Sequence, residues 1–149
     1  MTGQSVRLTR TIAAPPDEVY RAFVEPELLR RWFCPRDFEV VDVEVDARVG
    51  GRHHTRIVAP DGSRHAFVCE IRELVPGERI VMTWIFEGRD PSSRSEESLV
   101  TVTLRESGPD TTELRLVHDR LVVRTPEERE GVREGWDEAL EKLTSLYAT

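Results

Sequence analysis

Nowhere in this 149-residue sequence do about 18 apolar residues run together, so no membrane-spanning helix is expected and no membrane partner with it. The start, from Met1 to Arg7, has no apolar core of the kind a secretory leader needs. Positive charge is scarce and uniform in kind. Lys142 is the only lysine, and 21 Lys+Arg against 28 Asp+Glu leave a net charge of -7. A phosphate-binding face needs concentrated positive charge, so nucleic acid is excluded as a partner. The two cysteines, Cys34 and Cys69, form neither a Cys-x-x-Cys pair nor a disulfide framework, and are expected as free thiols in a reducing cytoplasm. Catalytic motifs are missing too. There is no Gly-x-Ser-x-Gly elbow, neither cysteine adjoins a histidine, and Gly50-Gly51 precedes a strand rather than a phosphate-cradling helix.

What the chain does have is a regular alternation of element types across a single domain, residues 1–149, with no repeat or dividing linker. Val6, Leu8 and Ile12 alternate with polar residues as a first strand. Pro16-Asp17-Glu18 then opens a short helix with Val19, Ala22 and Phe23 on its apolar side. Pro26 starts a second helix expected to bury Leu28, Leu29, Trp32 and Phe33. From Phe38 the period becomes two. Val41, Val43 and Val45 are expected on one face of a strand, opposite Asp42, Glu44 and Asp46. Further strands follow over Arg52–Val58, Arg64–Leu74, Arg79–Phe86, Leu99–Arg105 and Thr112–His118, with turn chemistry at Pro60-Asp61-Gly62-Ser63, Pro76-Gly77 and Gly108-Pro109. Between the last three, Gly88 to Ser98 is a polar loop containing Pro91. Thr125-Pro126-Glu127-Glu128 then caps the longest helix, Pro126–Tyr147, whose Val132, Trp136, Ala139, Leu140, Leu143 and Tyr147 form one apolar stripe. The fold class is α+β: a curved antiparallel sheet of about seven strands, two short helices, and the long C-terminal helix across the concave face.

Charge decides which sheet residues look outward. Arg52 and Arg56 must reach water, which turns His53, Thr55 and Ile57 inward. By the same rule His65, Phe67, Cys69 and Ile71 face in, as do Met82, Trp84 and Phe86, and later His118. Three histidines, a threonine and a thiol thus lie on a face that a tight core would fill with aliphatics. An unpaired buried polar group costs about 1–3 kcal/mol, so each needs a partner, a water or a ligand. A ligand-sized cavity between sheet and helix is therefore expected, lined by His53, Thr55, Phe67, Cys69, Ile71, Met82, Trp84, Phe86, His118, Trp136 and Leu140. Trp32, His65 and Glu73 are expected at its rim, Glu73 as the best placed carboxylate for proton transfer. No metal is expected: across the Pro60–Ser63 turn His53 and His65 are roughly 13–20 Å apart, far beyond shared coordination. No cofactor is expected either.

Several ordered segments carry a resemblance: Arg10-Thr-Ile-Ala-Ala-Pro-Pro-Asp-Glu-Val-Tyr-Arg-Ala-Phe, Pro26-Glu-Leu-Leu-Arg-Arg-Trp-Phe, Arg48-Val-Gly-Gly-Arg, Pro60-Asp-Gly, Glu73-Leu-Val-Pro-Gly-Glu-Arg-Ile-Val-Met-Thr-Trp and Gly135-Trp. Together, from about Arg7 to Tyr147, they resemble the bacterial single-domain relatives of the heat-shock-protein-90 ATPase activator, within the START-like (SRPBCC) group of helix-grip folds. The resemblance implies that fold; the wider group includes lipid carriers, polyketide cyclases and hormone receptors, and offers no fixed catalytic motif. His53 stands where many relatives have an aromatic residue, and Cys69 where a glycine is common. The chaperone-activating relatives carry a further N-terminal domain that this chain is expected to lack. Three functions follow as expectations. The foremost is a binding module for a small, largely apolar molecule, more an acceptor of ligand than an enzyme. The second is a cyclase- or hydrolase-like enzyme using Glu73 or a cavity histidine. The third is a chaperone-linked protein-interaction domain that meets an acidic partner through Arg52, Arg56, Arg64 and Arg72 on the outer sheet face; a homodimer is a separate expectation.

Overall fold

The computed structural model describes residues 4–90 and 93–148; Pro91 and Ser92 of the expected polar loop, and the first three residues, lie outside them. Strand β1 (Gln4–Ile12) is followed by helices α1 (Pro16–Val24) and α2 (Pro26–Leu29). Six strands come next: β2 (Glu39–Val45), β3 (Arg52–Val58), β4 (Arg64–Val75), β5 (Arg79–Glu87), β6 (Ser98–Gly108) and β7 (Thr111–Leu121). Helix α3 (Pro126–Leu146) ends the chain. All strands join one seven-stranded antiparallel sheet in the order β1-β7-β6-β5-β4-β3-β2. Sequence neighbours pair throughout except for β1, which closes the sheet against β7 across the length of the chain. This is the expected α+β helix-grip architecture. None of the described helices is long and apolar enough to cross a membrane.

The helices start where side-chain chemistry starts them. At α3, Thr125 Oγ1 accepts from the Glu128 amide at 3.2 Å, and the Glu128 carboxylate reaches back to the Arg124 amide at 2.7 Å. The first bond satisfies an amide that the first turn leaves without an intrahelical partner, and the second ties the chain entering the helix to that turn. Helix α2 stops at Leu29, so Trp32 and Phe33 sit in the turns beyond it, where both are fully buried. Trp32 is therefore a core residue and not a rim residue. Its indole N–H donates to the Ala22 carbonyl at 2.9 Å, and its ring meets Phe23 and Phe33 edge to face. One orphan carbonyl at the end of α1 is thereby capped by a side chain.

Strand alternation is interrupted at four register shifts among the described residues; one lies at the end of β6 between Glu106 and Gly108, and the other three turn the following residues over. In β2, Val40 pairs with Ile57 and Asp42 with Arg56, so Val41 is the extra residue and is 40% exposed. Val40, not Val41, shares the inner face with Val43 and Val45. In β4 the register slips between Ile71 and Glu73. Glu73 consequently lies opposite Val81 on the outer face, while Leu74 pairs with inward-facing Ile80. In β7 the three steps from His118 to Leu121 span what two steps from Val6 to Gln4 cover in β1, with Arg120 at φ 58°. That kink brings Leu121 back to the inner side. One extra residue is enough to reverse parity, because side chains alternate with period two.

The concave face is covered by different helices at its two ends. Helix α1 packs over β6 and β7 near the β4–β5 and β6–β7 turns, where Thr112 Oγ1 donates to the Ala14 carbonyl at 2.7 Å and the Leu104 amide to the Glu78 carbonyl at 2.8 Å. Helix α3 lies along β1. The opposite end, near the loop after β5 and the β7–α3 connection, is left less filled.

Candidate functional site

A cleft of about 470 Å³ opens at that second end, between the sheet and the first half of α3. Its floor is aromatic: Phe67, Trp84 and Phe86 from the sheet, Phe33 from the turn after α2, and Trp136 from α3. Phe33 is the hub, with ring centroids 5.8 Å from Phe67, 5.9 Å from Trp84 and 5.9 Å from Trp136. Trp84 in turn lies 4.6 Å from Phe67 and 4.9 Å from Trp136. Leu121, Val122 and Val123 form one lip; Val122 is 45% exposed. Cys34, Pro35 and Phe38 form the other. Gly131 and Gly135, one turn apart on α3, face the opening. A Cβ on Gly131 would meet nothing within 4 Å, and one on Gly135 only Pro35 Cγ at 3.9 Å. Glycine inside a helix costs roughly 0.5–1 kcal/mol relative to alanine, so the helix gives up stability where the cleft gains room.

The polar atoms of the wall are tied to each other. The Trp136 indole N–H donates to His118 Nδ1 at 3.0 Å. An indole nitrogen can only donate, so Nδ1 carries no proton and the ring is the Nε2–H tautomer. Nε2–H then donates to Ser98 Oγ at 2.7 Å, and Ser98 donates to the Trp84 carbonyl at 3.2 Å. Burial holds the His118 pKa down at about 3, keeping the ring neutral. The Ser98–His118 spacing is that of a nucleophile and its base, but the proton sits on the wrong nitrogen. Nε2 already donates to the serine and has no lone pair to accept the serine proton, so the pair does not activate a nucleophile. Among the described residues, the ionisable groups bordering the cleft apart from His118 and Cys34 are Glu96 and Glu128, and no arginine or lysine borders it. Cys34 Sγ donates to the Phe38 carbonyl at 3.2 Å, and burial pushes its thiol pKa up. Behind this lip, Lys142 donates to the Pro35 carbonyl at 2.9 Å and the Phe38 carbonyl at 3.4 Å, and lies 3.2 Å from Cys34 Sγ. The lone lysine thus holds the 34–38 segment against α3. The facing wall is held from β5: the Phe86 amide donates to Ser95 Oγ, and Arg94 pairs with Glu87.

Of the residues expected to line the cavity, Phe67, Trp84, Phe86, His118 and Trp136 border the cleft. His53, Thr55, Cys69, Ile71, Met82 and Leu140 face the same side but lie buried outside the cleft lining. His53 faces α1 rather than α3: its Nε2–H donates to the Phe23 carbonyl at 2.7 Å and caps another orphan carbonyl of that helix. His65 sits one layer behind the lip, stacked on Phe86 at 5.5 Å and 2.8 Å from Ser63 Oγ. Glu73 is at the other end of β4, on the outer face, paired with Arg79 at 2.8 Å. The bulge that turned it outward removes it from the cleft mouth. Among the described residues, no three His, Cys, Asp or Glu side chains gather as a metal site. Sequence reasoning missed Phe33, Cys34, Phe38, Ser98 and the two helix glycines. Ser98 shares parity with Val100 and Val102, and Gly131-x-x-x-Gly135 lies on one helix face; both patterns were available in the sequence.

A family model described as Activator of Hsp90 ATPase homolog 1-like protein matches residues 13–148. Among solved structures, protein CV1439 from Chromobacterium violaceum is 35% identical, with a TM-score of 0.83 and 97% of each chain covered. Protein NE0264 from Nitrosomonas europaea is 26% identical, with a TM-score of 0.78, covering 95% of this chain and 92% of that one. The AHSA1 protein SPO3351 from Silicibacter pomeroyi, 23% identical with a TM-score of 0.76 and 95% and 96% covered, shares the fold. Among curated proteins, none matches this chain.

Proposed function

This chain belongs to the Activator of Hsp90 ATPase homolog 1-like family, and on that footing we propose that it binds a small, uncharged, largely apolar molecule in the cleft between the sheet and α3. The observation that carries this reading is the aromatic floor of Phe33, Phe67, Trp84, Phe86 and Trp136 beneath an opening of about 470 Å³. That volume lies inside the range of roughly 300–1,000 Å³ typical of small-molecule sites. Flat rings stack favourably against such a floor. The bordering carboxylates Glu96 and Glu128, with no bordering cation among the described residues, disfavour a fatty-acid or phosphate headgroup. The neutral His118, with both nitrogens engaged, supports a holder of ligand rather than a proton-transfer catalyst. Two thiols kept apart and buried, Cys34 and Cys69, support a reducing cytoplasmic setting.

The test is titration with Nile red, a neutral apolar dye, followed by its fluorescence. Wild-type protein is expected to give a saturable one-to-one enhancement. Gly135→Leu, which projects a side chain into the cleft, is expected to weaken it at least tenfold without lowering the melting temperature. Unsaturable wild-type binding, or equal affinity in the variant, would overturn the reading.

A further inference from the structure

Among the described residues three buried side-chain polar atoms have no partner: His65 Nδ1 behind the lip and, behind the cleft floor, His53 Nδ1 and Thr55 Oγ1. His53 and Thr55 are 0% exposed. They stand two positions apart on the inner face of β3, their Cα atoms about 6.6 Å apart along the strand; one oxygen about 2.8 Å from each polar atom spans up to about 5.6 Å, so it bridges the pair when the two side chains lean together by about 1 Å. His53 pairs across the sheet with Cys69 and Val45, and Thr55 with Phe67 and Val43. Phe33 lies 5.4 Å from the His53 ring and Phe67 pairs across the sheet with Thr55, and both phenylalanines border the cleft.

The hydrogen-bond chemistry of this spot is fixed by what surrounds it. His53 Nε2–H is committed to the Phe23 carbonyl, which can only accept. Nδ1 is therefore a bare lone pair that needs a donor, while Thr55 offers one O–H and can also accept. A carbonyl would leave Nδ1 unmet, an ammonium would have nothing to accept with, and a carboxylate would bring an uncompensated charge. One neutral hydroxyl satisfies both, donating to Nδ1 and accepting from Thr55. We infer that His53 and Thr55 form a hydroxyl-binding spot beneath the cleft, filled by an internal water or by the hydroxyl end of the cleft's ligand with Phe33 swung aside. The second source deepens the binding reading above and rests on it; the first does not.

Thr55→Val keeps the shape and removes the hydroxyl, so its sign is diagnostic. A hydroxyl without a partner is better replaced by a methyl, whereas one bonded to a water leaves that water and Nδ1 badly served when it is lost. The experiment compares melting temperatures of wild type, Thr55→Val and Thr55→Ser. It also compares calorimetric affinities of wild type and Thr55→Val for 4-pentylphenol and pentylbenzene, which differ by one hydroxyl. With water as the source, Thr55→Val melts about 2–6 °C lower, Thr55→Ser recovers most of the loss, and wild type binds both probes alike. With the ligand as the source, wild type prefers the phenol about tenfold and Thr55→Val loses that preference. Thr55→Val melting at or above wild type with its preference unchanged overturns the inference. Should neither probe bind, the cleft reading fails, while the melting comparison still decides the hydroxyl spot.

Discussion

Acidification from pH 7 to pH 5 is expected to destabilise this protein through His118. Its pKa in the folded chain is held at about 3, against 6.5 for the unfolded one. Between those values the unfolded chain binds a proton that the folded chain refuses. Stability from this residue is therefore fully present above pH 6.5 and lost as the pH falls. At pH 5 the unfolded histidine sits about 1.5 units below its own pKa; at about 1.36 kcal/mol per unit, the loss is about 2 kcal/mol. For a domain of this length that corresponds to a fall in melting temperature of about 4–8 °C. His53, whose pKa burial also lowers, adds in the same direction. The assay is thermal unfolding followed by circular dichroism in a pH series from 7.5 to 5, for wild type and His118→Phe. The variant leaves the Trp136 N–H and Ser98 without their partner, so it starts less stable by about 1–3 kcal/mol. Its pH slope is the readout, and it should be shallower than wild type by up to about 1.36 kcal/mol per unit. Equal slopes in the two proteins would refute the neutral, doubly bonded histidine.

Two further outcomes follow from the wall of the cleft. Lys142→Met removes a charged donor from two half-buried carbonyls and is expected to cost about 1–3 kcal/mol in a urea titration, and also to weaken Nile red binding because Pro35 and Phe38 form a lip. A rigid lip held without the ammonium would show in unchanged affinity. Both thiols are buried with their pKa values pushed up, so both should react slowly with N-ethylmaleimide at pH 7, but Cys34, which borders the cleft, should be modified before Cys69. Peptide mapping by mass spectrometry reads the order, and Cys69 reacting first would contradict the packing.

The sequence determined by itself everything that depends on period and on the cost of burying charge. Alternation in Arg52–Val58 turned His53, Thr55 and Ile57 inward because arginines cannot follow them, and the stripe from Val132 to Leu143 required α3 to lie on a sheet. Periodicity states which face a residue has; it does not state what stands opposite. His53 and His118 look alike in the sequence, yet one caps α1 and the other holds Trp136 at the cleft. That difference arises because α1 closes one end of the sheet and leaves the other end to α3. Parity also carries forward only while the ladder is regular. Single extra residues at Val41, near Glu73 and at Arg120 reversed it, and these bulges are settled by how each strand registers against its partner, β2 on β3, β4 on β5 and β7 on the distant β1, rather than by local composition. Location of the cleft was therefore a tertiary decision, made where two helices failed to cover one curved sheet completely.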